Sequence, residues 1–311
     1  MLNEDNLWKA ILEEIFTDFI RFIHPGVDEI LDLRRGYVFL DKELKQVFSP
    51  HRGSPNLKIV DKLIKVYSKN GGEEFILIHI EVQAKYRKDF GRRMLTYYYR
   101  LLDKYNKPIS AYAIFTEPTH KPRPGNFSLD FMGTKLSYDF NTYKISESSD
   151  DALLSNQNPF ALVVLAARTA FKGHRIKDDD ERDMLIKHLK LDLIKRLIDR
   201  KIERNKKEAI FYFINNYITF DLEETKTTFE KELEVFTKRD YTMNMHELMI
   251  ADAVHRGKIE GKAEGVNKLK TELAQHLIKN FGFSNQQIAK MIKTPVKFVA
   301  TVRNQTRENL L

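Results

Sequence analysis

The chain has 311 residues, 42% of them hydrophobic and 31% charged, which suits one sizeable core with helical additions and excludes a disordered polymer. No cysteine is present, so disulfides, thiolate metal sites and cysteine nucleophiles are excluded and a reducing cytoplasm is the expected location. The net charge of +8, with a pI near 9.3, permits a polyanionic partner without requiring one.

Leu7 to Ile23 carries apolar residues at helical spacing (Ile11, Ile15, Phe19, Phe22) and stops before Pro25-Gly26. Met1-Leu-Asn-Glu-Asp, ahead of it, lacks the basic start and apolar run of a secretory signal. Leu40 to Phe48 reads as a second, short helix. Leu57 to Tyr67 alternates as a strand and closes at Lys69-Asn-Gly-Gly, a hairpin signal. The returning strand, Phe75 to Val82, is almost continuously apolar, as a strand covered on both faces should be.

Arg92 to Tyr105 is the next expected helix, ended by Asn106-Lys-Pro108, and Ile109 to Thr116 the next strand. Beyond a proline-rich turn, Phe127–Phe131 and Lys135–Ile145 are expected to pair as strands. From Asn158 onward the pattern turns helical: Asn158 to Phe171, Asp183 to Lys206, Glu208 to Ile218 and Asp221 to Phe236. The best apolar run, Phe160 to Ala167, stops at Arg168, well short of the roughly 18–20 residues that span a bilayer, so no membrane partner is expected. Lys177-Asp-Asp-Asp-Glu-Arg182 reads as a solvated connection.

Gly257, Gly261 and Gly265 recur every fourth residue in a charged stretch, which reads as a marginal helix or hinge. Ser284-Asn-Gln-Gln287 is a capping-box signature, and Thr294-Pro295 opens a second short helix with Val299, Val302 and Arg303. The pair resembles a helix-turn-helix, simple helical packing being the alternative. The expected division is therefore a mixed α/β core over residues 1–150, a helical domain over 151–255, and C-terminal helices over 256–311.

The chemistry concentrates in the hairpin. Asp61 falls on the face of its strand that carries Ile59 and Leu63, and Glu81 ends the most apolar strand of the chain. A carboxylate at either place is costly unless paired, and a divalent cation supplies the pairing. The two carboxylates and the main-chain carbonyl of Val82 are hard oxygen ligands suited to magnesium or manganese. Gln83 lies on the same side as Glu81 and is suited to orient an attacking water. A structural or surface role for the two acids is the alternative, and His79 reads the same way, as a neighbour of the site or a core residue. The helix that follows bears Arg92, Arg93 and Arg100 with interleaved tyrosines, a face fit for a phosphodiester backbone or simply a solvated one.

Several stretches resemble the recombination-promoting nuclease/putative transposase family of the PD-(D/E)XK nuclease superfamily. They are Val60-Asp-Lys-Leu-Ile-Lys-Val66, Leu77-Ile-His-Ile-Glu-Val-Gln83, Arg92-Arg-Met-Leu-Thr-Tyr-Tyr-Tyr-Arg100 and Asn158-Pro-Phe-Ala-Leu-Val-Val-Leu-Ala-Ala167. The resemblance implies a restriction-endonuclease-like mixed-sheet core followed by an all-helical C-terminal region. The implied activity is a magnesium- or manganese-dependent DNA endonuclease linked to recombination or mobile elements. Asp61 and Glu81 are then the metal ligands, and Gln83 stands in the place of the motif's lysine. Glu43 supplies the additional helix-borne acid, with Glu14 and Asp18 as competitors expected at the surface, and Tyr98 lines the site. The rival expectations are a non-catalytic DNA-binding protein and an assembly protein that forms oligomers.

Overall fold

The computed structural model describes residues 4–40, 60–70, 75–83, 89–118, 122–173, 176–240, 270–271, 274–275, 278, 284–292 and 294–308; for 60–61, 75–83, 234–240, 290–291 and 306–308 the main chain alone is described. The expected helix from Leu40 to Phe48 and the glycine-repeat stretch thus lie outside the described residues, apart from Leu40 itself. The chain is mixed α/β and forms two compact units, Met1–Leu248 and Met249–Leu311.

The first unit is built on a five-stranded sheet, ordered β1 (Val38–Phe39), β2 (Val60–Tyr67), β3 (Phe75–Gln83), β4 (Ile109–Phe115) and β7 (Asn141–Lys144). β1, β2 and β3 pair antiparallel, whereas β4 and β7 each run parallel to their neighbour. A parallel return needs a crossover, and the helix Phe90–Tyr105 (α4) provides it between β3 and β4. Its apolar residues Phe90, Met94, Tyr97 and Leu101 fall on one stripe and are buried. Phe90 and Met94 pack on Ala111, Ala113 and Phe115, and Leu101 on Leu63, so α4 lies across that face of the sheet.

The opposite face is covered by the N-terminal and central helices. The chain bends at Ile15, which divides the predicted first helix into α1 (Glu4–Glu14) and α2 (Phe16–Ile23). After a single turn at Val27–Ile30 (α3), the helices α5 (Asp150–Ser155), α6 (Phe160–Gly173), α7 (Asp179–Asp199), α8 (Arg204–Tyr217) and α9 (Glu223–Asp240) follow the sheet in sequence. Phe19 joins the layers, with its ring 6.4 Å from Tyr112 on β4 and 5.1 Å from Phe160 on α6. Trp8 packs edge-on against Phe213 and Tyr217 of α8 at 5.1 and 6.0 Å. Among the described residues no helix is long and apolar enough to cross a membrane.

Three expectations are corrected by local chemistry. The acidic run is no mere connection: Asp178 accepts a hydrogen bond from the Glu181 amide at 2.8 Å, and Asp179, Asp180 and Glu181 fill the first turn of α7, where the helix dipole favours negative charge. The helix expected from Asp183 to Lys206 ends at Asp199. The strand expected over Lys135–Ile145 is two strands. Thr134–Asp139 (β6) pairs with Asn126–Phe131 (β5) in a separate hairpin, and β7 leaves for the main sheet. The hairpin turns at Met132-Gly133, both at positive φ (49° and 83°), the conformation a tight two-residue turn requires.

The base of that hairpin presses on the start of α4. A methyl group at Gly91 would sit 2.5 Å from the Asn126 carbonyl oxygen. Gly91→Ala is therefore expected to cost roughly 1–3 kcal/mol of stability, read as a lower melting temperature. Gly26→Ala, with nothing within 4 Å of the added carbon, is the control expected to leave it unchanged.

Candidate functional site

The antiparallel register sets Asp61 directly opposite Glu81, and the parallel register sets Glu81 beside Ala113. The three form one row across β2, β3 and β4, with Glu81 on the middle strand. Register partners on a pleated pair share a face. Ala113 belongs to the cluster under α4, so the acidic pair occupies the face of the sheet that α4 crosses. In the next row His79 stands between Leu63 and Ala111, and toward the strand end Gln83 stands beside Phe115.

Cβ atoms of a directly opposed pair are about 4.5–5.5 Å apart. One hard cation with oxygen ligands at about 2.0–2.6 Å bridges such a gap, so the donors at Asp61 and Glu81 suit magnesium or manganese. Val82 has strand partners on both sides, Val60 and Ile114. A carbonyl oxygen in a ladder keeps a second lone pair, which leaves Val82 able to serve as a third oxygen donor. Among the residues whose side chains are described, no group of three or more His, Asp or Glu is arranged to hold an ion.

The rest of the expected site is partly gathered and partly dispersed. Tyr98 is half-buried on α4 and packs against the cluster beneath it, its ring 4.8 Å from that of Tyr138. Burial pushes the Tyr138 hydroxyl far above the usual phenol range. Arg93 is half-buried, with its guanidinium 5.4 Å from the Phe90 ring and 5.9 Å from the Tyr97 ring. Arg92 is exposed and Arg100 half-buried, both off the stripe that contacts the sheet. Of the tyrosines, Tyr97 is core and Tyr99 is exposed. α4 thus turns Arg92 and Tyr99 outward, away from the sheet face it covers.

Glu43 lies outside the described residues. Its competitors belong to the other layer, because α2 packs through Phe19 on Tyr112, a residue of the opposite sheet face. Glu14 is exposed, as expected. Asp18 is not at the surface: it is 8% exposed and pairs with Lys206 at 2.8 Å, while its main-chain carbonyl accepts from Asn158. It ties α2 to the later helices. Lys62, next to Asp61 but on the opposite face, is buried with Glu13 of α1 as its ion partner.

One charged pair near the row carries no signal in the sequence beyond a carboxylate directly after an apolar strand. Glu117 and Arg123 face each other across the proline-rich turn, each side chain 4% exposed, in a two-point ion pair. Arg123 also lies 5.5 Å from the ring of Phe115, the neighbour of Gln83. The pair braces the end of the sheet where Glu81 and Gln83 emerge.

No family model matches the chain, and neither a curated protein nor a solved structure is found to be similar to it.

Removing one partner of a buried pair leaves an uncompensated charge. Arg123→Met is therefore expected to lose about 3–5 kcal/mol of stability in chemical denaturation. Glu117→Leu combined with Arg123→Met is expected to recover most of that loss, because no charge is then left buried.

Proposed function

We propose that the protein is a metal-dependent DNA endonuclease of the PD-(D/E)XK type, similar to the recombination-promoting nuclease/putative transposase family and acting in recombination or on mobile elements. The observation that carries the reading is the Asp61–Glu81 register on the central strands of a mixed sheet. An acid-bearing hairpin, a crossover helix and a parallel fourth strand are compatible with the core that the resemblance implies. DNA is the substrate, and the basic residues carried by α4, the helix that crosses the acidic face, support that choice.

Asp61 and Glu81, with the Val82 carbonyl, hold a divalent magnesium or manganese ion. When bound, such an ion polarises a phosphate oxygen and lowers the pKa of water for attack on phosphorus. Gln83 follows Glu81 by two residues on the same strand face; its amide both donates and accepts, and so orients the water. Glu43 is the further acid, and Tyr98 lines the site from α4. Arg92, Arg93 and Arg100 engage the phosphodiester backbone, Arg92 from the first turn of α4, where the helix dipole also favours an anion.

One observation favours a second reading, a non-catalytic DNA-binding protein on the same fold. Gln83 is neutral where the motif carries lysine, and the charge missing there would otherwise stabilise the transition state.

Supercoiled plasmid incubated with magnesium, manganese or EDTA separates the two. The nuclease reading expects nicking with either metal, none with EDTA, and a loss of at least roughly 100-fold in Glu81→Ala or Asp61→Ala. Salt-sensitive DNA binding without any cut product would establish the second reading. Cleavage at an unchanged rate in both variants would overturn the residue assignment.

A further inference from the structure

The second unit carries a feature that the nuclease reading does not use. Asn285–Met291 (α10) and Val296–Glu308 (α11) follow each other closely, with Ile292, Thr294 and Pro295 between them, the short spacing of a helix-turn-helix. The capping box forms as expected: the Ser284 hydroxyl accepts from the Gln287 amide, and the Gln287 side chain accepts from the Ser284 amide at 2.9 Å. The Thr294 amide donates to the Ala289 carbonyl at 3.0 Å and closes the turn. Ile288, Ala289, Val299 and Val302 are buried together with Ala274, and Ile278, Ile292 and Phe298 pack around them. Arg303 donates to the Asn285 side chain at 2.6 Å, which pins α11 across the start of α10.

With Val299 and Val302 turned inward, α11 exposes Lys297, Thr301, Asn304 and Gln305. These positions recur at i, i+4, i+7 and i+8, so they form one continuous stripe. Lysine, threonine, asparagine and glutamine are side chains that read base edges: lysine pairs with guanine, asparagine and glutamine with adenine, and threonine with either. Charge points the same way. Met249–Leu311 holds eleven lysines and arginines against five aspartates and glutamates, a net +6 of the chain's +8. From Ser284 to Arg307 there are five basic residues and no acidic one. The ring on α11, Phe298, packs into the apolar cluster, so the stripe offers no aromatic platform for unstacked bases. A helix of 13 residues with a polar, ring-free stripe fits the major groove of duplex DNA.

We infer that the C-terminal unit is a sequence-reading DNA module in which α11 enters the major groove and Lys297, Thr301, Asn304 and Gln305 contact base edges. The inference goes beyond the nuclease proposal and rests on none of its residues. It also assigns the chain a means of choosing where on DNA it acts, which a phosphate-contacting helix such as α4 cannot supply.

The test is selection from a random duplex library by the full chain in EDTA, where no metal-dependent cutting occurs. One recurrent motif is expected to be enriched. Asn304→Ala and Gln305→Ala, both at exposed positions, are each expected to flatten preference at one base pair by about tenfold while non-specific binding of duplex persists. Thermal melting of each variant, expected unchanged, keeps misfolding from imitating that result. No enriched motif, a motif that survives intact in the double variant, or preferential binding of single-stranded RNA would each overturn the inference. A chain that selects a motif yet cuts nothing keeps this inference and loses the nuclease, and a chain that cuts without selecting does the reverse.

Discussion

Glu81 sits on the middle strand of the sheet, and the register of β2 on β3 decides what stands beside it. It sets a second carboxylate, Asp61, directly opposite Glu81. Two like charges at that spacing repel, and a divalent cation held between them, as proposed, offsets that repulsion. Alanine at 113, on the other side of Glu81, adds no charge to the row. The proposed nuclease therefore rests first on a pairing of main chains, which a slip of one residue would abolish by sending Asp61 to the other face.

The remaining architecture bears on that row. Ala111 and Ala113 are small enough to let Phe90 and Met94 approach the sheet, which brings α4 down on the acidic face. Gly91 and Asn126 fix where the helix begins. Behind the sheet, Lys62 with Glu13 ties β2 to α1 and Asp18 with Lys206 ties α2 to α8, both away from the acids. The Glu117–Arg123 pair closes the strand ends from the side. A pair with both partners buried, as Glu117–Arg123 is, adds little net stability but is costly to break, so it resists displacement of the strand ends that frame the site.

Much of this was legible in the residues, for physical reasons that differ by element. Apolar strands of β3 and β4 type announce themselves by composition, and Asn70-Gly71 announces that β2 returns into β3 as an antiparallel pair, though not the register of that pairing. The capping box at Ser284 is a local hydrogen-bond pattern and was readable for that reason. The acidic run before α7 reads as a connection because a first helical turn and a solvated linker share a composition, and the Asp178–Glu181 hydrogen bond is what separates them. The break at Phe140 depends on a tertiary choice: one half of the predicted strand pairs with β5 and the other with β4. The burial of Asp18 and Glu117 depends on Lys206 and Arg123, partners that no local pattern connects to them.

The central claim is that Asp61 and Glu81 together hold one divalent ion. Titration of the chain with manganese, followed by electron paramagnetic resonance, tests it without reference to any DNA substrate. The account predicts one site in the wild-type chain, with affinity lowered at least about tenfold in Asp61→Asn and in Glu81→Gln alike. The double variant should be little worse than either single one, since both remove the same site. Manganese binding left intact in both single variants would contradict it.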